Sequence, residues 1–199
     1  MKKIYIVLTH TGTLLSRIIK YYTKDEFSHS SLALDFDLNE MYSFGRLNPY
    51  NPFWGGFVHE RINRGTFKRF YKTETTVYSM FVTDEQYKKL QDLINFFENT
   101  KDKYKFNVIG LFAAGFHQKI GSEHSFYCAE FVKYLLDEAG IETNLPEVIK
   151  PEDFKFLSGV TEVYSGKLKD YRNWKKSYLK EKKEKLEYYF NSNKIGLDS

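Results

Sequence analysis

The chain has 199 residues, of which 42% are hydrophobic and 28% charged, and its formal net charge is +4. These values are typical of one globular domain with room for an appendage, and they exclude a disordered chain. Most of the positive excess lies in the segment 170–187. The rest of the chain is therefore nearly neutral, which argues against a nucleic-acid-binding surface.

The composition also limits the chemistry. A single cysteine excludes an internal disulfide and any zinc site with two or more cysteine ligands. The sequence contains no His-Glu-x-x-His motif, calcium-loop spacing, phosphate-binding loop or dinucleotide glycine fingerprint, so we expect neither metal nor cofactor. The first apolar run is too short for a signal peptide, and no stretch reaches the roughly 18 apolar residues of a membrane span. We therefore expect a cytoplasmic protein.

Strands and helices are both predicted, in an order that indicates an α+β chain. Apolar and β-branched runs predict strands at 3–9, 28–36, 40–44, 57–62, 75–82 and 160–164. Helical spacing of apolar residues, or dense mixed charge, predicts helices at 14–22, after 83, at 125–139 and at 171–190. A turn at 37–39 makes the second and third strands a hairpin. The segment 47–56 contains two prolines and two glycines and predicts a loop.

Cys128 stands near the start of the helix predicted at 125–139. Free backbone N–H groups and the helix dipole at such a position favour a thiolate. The same N–H groups can stabilise an oxyanion. Tyr127, its neighbour, is a candidate substrate contact. The competing interpretation is that Cys128 is simply a small buried hydrophobic side chain.

His29 begins the second predicted strand, on the face opposite to that strand's large apolar residues. A histidine there can take a proton from a thiol. Ser43 has the matching phase on the partner strand and is the sequence-order candidate for orienting the imidazole. Glu60 and Asp35 are alternatives that carry a charge, and we favour an ordinary surface role for Asp35. His10 ends the first strand and is a candidate neighbour of the site.

The predicted loop 47–56 carries two aromatic residues that are candidate walls of a substrate groove. These are Trp54 and Tyr50. The equally weighted alternative is that both aromatic rings pack on the core.

Three segments of the chain carry a family resemblance. They are IYIVLTHTG at 4–12, FSHSSLAL at 27–34 and YCAEFV at 127–132. Together they resemble the permuted branch of the NlpC-type papain-like superfamily, the YiiX/YycO-like proteins, which are distant relatives of lecithin–retinol acyltransferase. Unpermuted members place the cysteine before the histidine, whereas His29 precedes Cys128 here by 99 residues.

The resemblance implies a permuted papain-like fold over residues 1–165, with an antiparallel sheet and the cysteine helix packed against it. It also implies that Cys128 is a nucleophile and His29 its base. The family's third polar residue is commonly His, Gln, Asn or acidic, and Ser43 departs from that pattern.

The implied activity is that of a cysteine-dependent hydrolase that acts through an acyl-enzyme. It would resemble either a peptidase or amidase, or a thioesterase or acyltransferase. The substrate would be a peptide, an amide or an acyl compound. One alternative is a catalytically inactive papain-like binding module, which the uncharged Ser43 favours. Another is a lipid-acting acyltransferase at a membrane surface. Residues 166–199 are expected to form a charged helical appendage that is dispensable for chemistry and makes at most weak contacts with a membrane or protein.

Overall fold

The protein is described here from a computed structural model. Its described main chain covers residues 1–13, 16–17, 20–21, 25–48, 51–107 and 125–194, with side chains described except at 51–53 and 190–194. The strands are β1 (Lys2–His10), β2 (His29–Ala33), β3 (Met41–Asn48), β4 (Asn51–Glu60), β5 (Glu74–Val82), β6 (Lys105–Phe106), β7 (Ser125–Phe126) and β8 (Thr161–Lys167). The α-helices are α1 (Gly65–Arg69), α2 (Asp84–Thr100), α3 (Cys128–Glu138) and α4 (Tyr171–Lys194), with 3₁₀ turns at Lys101–Lys103, Pro151–Phe156 and Leu168–Asp170.

A six-stranded antiparallel sheet organises this α+β fold. Its strand order is β4-β3-β2-β1-β5-β8, while β6 and β7 form a separate short parallel pair. The alternation of side chains along each strand divides the core between the two faces of the sheet. In β1, Ile4 and Ile6 join the core under α2 and α3, whereas Tyr5 and Val7 join the core on the opposite face.

Two local predictions are confirmed by the structure. The strands β2 and β3 form the predicted hairpin, with Leu32 opposite Tyr42. The helix α2 follows Thr83, whose hydroxyl accepts the N–H of Gln86 at 3.1 Å while the Gln86 amide oxygen accepts the N–H of Thr83 at 2.9 Å. This reciprocal capping box is what the spacing of the two residues predicts.

The second strand is shorter than predicted because the chain begins its turn early. The Asp35 carboxylate accepts the N–H groups of Asn39 at 2.9 Å and of Glu40 at 2.7 Å. These bonds replace ladder bonds and end β2 at Ala33 rather than at 36.

The prediction of a loop at 47–56 is wrong. The strand β3 continues to Asn48 and β4 begins at Asn51, with Gly45 opposite Gly56. Proline is tolerated at Pro52 because β4 is the edge of the sheet, where half of the main-chain N–H groups have no neighbouring strand.

The helix predicted at 125–139 starts later, at Cys128. Ser125 and Phe126 are extended and pair with Lys105 and Phe106 instead. Its end agrees with prediction, because Gly140 adopts a φ of 71°, the left-handed conformation that terminates helices. Most of the helix predicted at 14–22 lies outside the described residues.

The first turns of α4 belong to the core. The predicted boundary at 165 falls inside β8, and Tyr171 is fully buried, donating its hydroxyl to the carbonyl oxygen of Phe36 at 2.9 Å. Trp174 and Tyr178 stack on each other and both contact the Phe36 ring edge-on. The remaining part of α4 with described side chains, up to Tyr189, is charged and exposed. Within the described ranges, no helix is long and apolar enough to cross a membrane.

We expect Tyr171→Ala to lower the free energy of unfolding by about 3–5 kcal/mol, because it removes a large side chain from a closed core. Tyr188→Ala, the same substitution at an exposed position of α4, should change that free energy by less than about 0.5 kcal/mol. Urea unfolding followed by circular dichroism measures both. Equal losses in the two variants would contradict this account of the helix.

Candidate active site

The helix α3 delivers the thiol. Tyr127 is its extended N-cap residue, and the N–H of Phe131 donates to the Tyr127 carbonyl at 3.0 Å to close the first turn. Phe131 and Leu135 anchor the helix in the core under the sheet. Cys128 is consequently held at the first helical position, 1% exposed, where main-chain N–H groups and the positive end of the helix dipole converge.

The strands β2 and β4 carry His29 and Glu60, whose side chains contact each other. The Nε2 atom of His29 lies 2.9 Å from Oε1 of Glu60, and the other carboxylate oxygen of Glu60 accepts the hydroxyl of Ser31. Cys128 and His29 line the same cavity, and the thiol lies close enough to the imidazole to help raise the pKa of His29. Cys128, His29 and Glu60 thus line one cavity, in which the imidazole is paired with the carboxylate.

A glycine on β3 leaves room for the contact between His29 and Glu60, because β3 lies between β2 and β4. Glu60 is paired with Met41, so its side chain must reach along the sheet to meet the ring of His29. A Cβ atom at Gly45 would lie 3.2 Å from Cε1 of His29 and 3.7 Å from Oε1 of Glu60. Glycine at 45 therefore leaves the space in which the imidazole and the carboxylate meet.

The electrostatics of the cluster favour the imidazolium. Burial alone would lower the pKa of His29, but the neighbouring Glu60 carboxylate and the hydrogen bonds to Cys128 and Glu60 outweigh it and raise the pKa to about 10. A protonated His29 through neutral pH is the state that stabilises a thiolate beside it and can donate a proton to a leaving group.

These side chains line a narrow cavity of about 50 Å³ that is open to solvent on one side. Its other lining residues include Arg46, Thr11 and Phe106. The guanidinium of Arg46 donates to the Thr11 hydroxyl at 3.4 Å, and Phe106 packs over Gly55, where a Cβ would come within 2.7 Å of its ring. The cavity thus combines a thiol, an imidazole, a cation and an apolar wall.

The sequence candidate for orienting the imidazole, Ser43, is placed elsewhere. Its hydroxyl is buried and donates to the carbonyl oxygen of Ser30 at 2.7 Å, which fastens β3 to β2. The imidazole is instead contacted by Glu60, the charged alternative. The Asp35 carboxylate accepts main-chain N–H groups in the turn that follows β2.

Of the predicted substrate contacts, Tyr127 needs correction. Its ring is buried in the core and its hydroxyl donates to the carbonyl oxygen of Ile149 at 2.9 Å, so the side chain points away from the cavity and anchors the start of α3. His10 lies beside the site, with Nδ1 3.4 Å from the Ser28 hydroxyl, and burial followed by the Lys20 charge lowers its pKa. Ser28 lines the cavity, so the influence of His10 is indirect.

Trp54, one of the two aromatic candidates from the predicted loop, does not line this cavity. Trp54 is 61% exposed and lines a separate, wider groove that also contains Tyr104 and Phe106. Tyr50 lies outside the described residues.

Sequence reasoning missed Gly45, Arg46 and Phe106. A glycine inside a strand is itself a signal of close approach by a ligand or another side chain, and Gly45 fits that signal. Arg46 follows it directly but carries no pattern of its own. Phe106 lies in a segment whose periodicity indicates neither helix nor strand.

We expect Glu60→Gln to lower the pKa of His29, because the neutral amide removes the adjacent negative charge. The raised value means that the imidazolium persists through neutral pH and is lost as pH rises through about 10. The rate of Cys128 alkylation by iodoacetamide should therefore change near pH 10 in the wild type and at lower pH in Glu60→Gln. Ser43→Ala is the matched control and should leave that step in place. A step displaced equally by both substitutions would assign the orienting role to Ser43.

Among the residues with described side chains, no group of three or more His, Cys, Asp or Glu side chains could hold a metal ion. No protein-family model matches the chain, and the search of curated proteins finds no match. Support for a function therefore comes from the side chains of the cavity themselves.

Proposed function

We propose that the chain is a cysteine-dependent hydrolase or acyltransferase that forms an acyl-enzyme on Cys128. The observation that carries this proposal is one cavity that holds the Cys128 thiol beside the imidazole of His29, whose Nε2 lies 2.9 Å from Oε1 of Glu60. A nucleophile, a base within hydrogen-bonding reach and a third group that orients the base are the parts that acyl transfer requires.

The proposed reaction follows from these positions. With the proton already held on the imidazolium of His29, the Cys128 thiolate attacks the carbonyl carbon of an amide, ester or thioester. The carbonyl oxygen becomes an oxyanion, which main-chain N–H groups at the start of α3 stabilise. When the tetrahedral intermediate collapses, the bond to the amine, alcohol or thiol leaving group breaks and the imidazolium of His29 protonates that group.

The second half of the reaction regenerates the thiol. His29, now neutral, takes a proton from water or another acceptor, which attacks the acyl carbon. The sulfur leaves as a thiolate and the acid or transferred product departs. The contact with Glu60 supports the imidazolium each time it forms in the cycle.

We also propose that this α+β fold is of the permuted papain-like type and that the chain is related to the YiiX/YycO-like proteins. Three features support the relationship: the histidine strand precedes the cysteine helix in sequence, the sheet is antiparallel, and α3 packs against β2 and β3. The substrates would be peptides, amides or acyl compounds, as in the wider superfamily that the motifs resemble.

One observation favours a second candidate, an inactive binding module. Cys128 is only 1% exposed and its cavity holds about 50 Å³. A thiol enclosed in this way fits a structural role. The Glu60 contact nevertheless removes the original reason for this candidate, which was the lack of a charged partner for His29.

Acylation of Cys128 tests the proposed function. The folded protein is mixed with p-nitrophenyl acetate, release of nitrophenolate is followed, and the acetylated residue is located by peptide mass spectrometry. We expect a burst of product and an acetyl group on Cys128. Acetylation confined to surface lysines, with Cys128 unmodified in folded protein, would favour the binding module.

A further inference from the structure

A cationic groove adjoins the catalytic cavity. A second cavity shares Arg46, Glu60, Thr66 and Phe67 with the first, so the two are continuous. Its lining adds Arg61 and Arg64. Three arginine residues therefore line the groove that adjoins the cavity of Cys128.

The residues that line this groove carry more positive than negative charge. Within the described part of the chain, none of the three arginines forms an ion pair, and Glu60 is the acidic residue that lines the groove. Both carboxylate oxygens of Glu60 already have partners, since one contacts His29 and the other accepts the Ser31 hydroxyl.

Arg46 is the best placed of the three. It lines both cavities, and its guanidinium stacks on the ring of Phe70 at 5.6 Å and donates to Thr11 at 3.4 Å. These contacts orient the planar group but leave most of its five N–H donors for other acceptors. Arg46 is partly buried and has no carboxylate partner among the described residues, so its guanidinium loses hydration that an anionic ligand would replace.

We propose that this groove binds an anionic group of the substrate, a carboxylate or a phosphate, next to the acyl carbon that Cys128 attacks, and that Arg46 is its principal contact. Planar guanidinium groups bind both kinds of oxyacid through paired N–H donors. The inference rests on the proposed function and narrows its substrates to acyl compounds or peptides with an acidic group beside the scissile bond.

Two alkylating reagents that differ in charge test the proposal without knowledge of the substrate. Iodoacetate is an anion and iodoacetamide is its neutral counterpart, and both alkylate a thiolate. The ratio of their rate constants at Cys128 measures the preference of the site for a negative charge. Any change in thiol ionisation or ring protonation that affects both reagents equally cancels in that ratio.

We expect the iodoacetate to iodoacetamide ratio to fall about fivefold in Arg46→Gln and about twofold in Arg61→Gln or Arg64→Gln, with added salt reducing the differences. Arg172→Gln is the control, because it removes the same charge at an exposed position of α4, where the guanidinium contacts Asn39. An unchanged ratio in Arg46→Gln, or an equal fall in Arg172→Gln, would overturn the inference.

Succinate and inorganic phosphate distinguish the two sources of negative charge. Each is added as a protecting ligand during iodoacetamide labelling, and each is also titrated calorimetrically into the wild type and Arg46→Gln. Protection by succinate alone indicates a carboxylate substrate, and protection by phosphate alone indicates a phosphorylated one.

These measurements distinguish failure of the proposed function from failure of the proposed anion site. If Cys128 reacts with neither reagent, the proposed function fails, while saturable succinate or phosphate binding that is lost in Arg46→Gln still supports the anion site. If the thiol is reactive but neither anion binds or protects, the anion site is absent and the proposed function stands.

Discussion

Cys128→Ser is expected to lower the rate of ester hydrolysis by at least about 10³-fold while leaving the fold intact. The serine hydroxyl is nearly the same size as the thiol, so the buried position at the start of α3 stays filled. It is a far weaker acid than the thiol, however, and His29 cannot hold it as an anion. Losses of this size are typical when the nucleophile of a catalytic group acting as a unit is removed.

Hydrolysis of p-nitrophenyl acetate, with thermal unfolding as the control for fold, measures this expectation. The wild type and Cys128→Ser should unfold at similar temperatures. Turnover retained in a folded Cys128→Ser protein would rule out the acyl-enzyme mechanism.

His29→Gln is expected to reduce the same rate by about 10³-fold near neutral pH, because no base then removes the thiol proton and no acid protonates the leaving group. Residual activity should rise with pH, since the thiol must ionise unaided. Glutamine keeps a polar side chain of similar length that can still meet Glu60. The substitution thus isolates proton transfer from packing.

The pH profile separates this role from a structural one. A purely structural His29 would give a variant with lowered stability and an unchanged profile shape. A profile that is displaced to higher pH in a stably folded His29→Gln protein is the result we expect. His59→Gln, two strands away on β4, supplies a histidine control, because Nε2 of His59 contacts the carbonyl oxygen of Asn39 and His59 does not line the cavity that contains Cys128.

The sequence predicts the parts of the fold that local patterns determine. The β2–β3 hairpin, the capping box at Thr83 and the glycine stop at Gly140 each depend on residues a few positions apart, and the structure contains all three. The first part of β4 was predicted as a loop because two prolines and two glycines normally mark one, whereas its second part lies in the strand predicted at 57–62. Only its position at the sheet edge, which depends on the order of all six strands, makes proline acceptable there.

The residues of the candidate site also differ in whether a local sequence pattern identifies them. Cys128 and His29 are identifiable from short motifs and meet in the structure. The choice between Ser43 and Glu60 was not decidable from strand phase, because phase identifies neighbours on adjacent strands. Glu60 reaches His29 from two strands away, over Gly45, and a contact of that kind depends on side-chain length and on the space left between.

The order of the strands in the sheet has a consequence for synthesis. The ribosome releases β1 to β5 and then α3 before β8, yet β8 is the strand that covers the outer edge of β5. Tyr171, which completes the core on the face of the sheet opposite to α2 and α3, emerges later still. A nascent chain can therefore assemble its thiol site while one sheet edge and one apolar face remain open to other chains. Translation that stops before β8 would release a product with its chemistry in place and a strong tendency to aggregate, so chaperones would be needed most during the last stage of elongation.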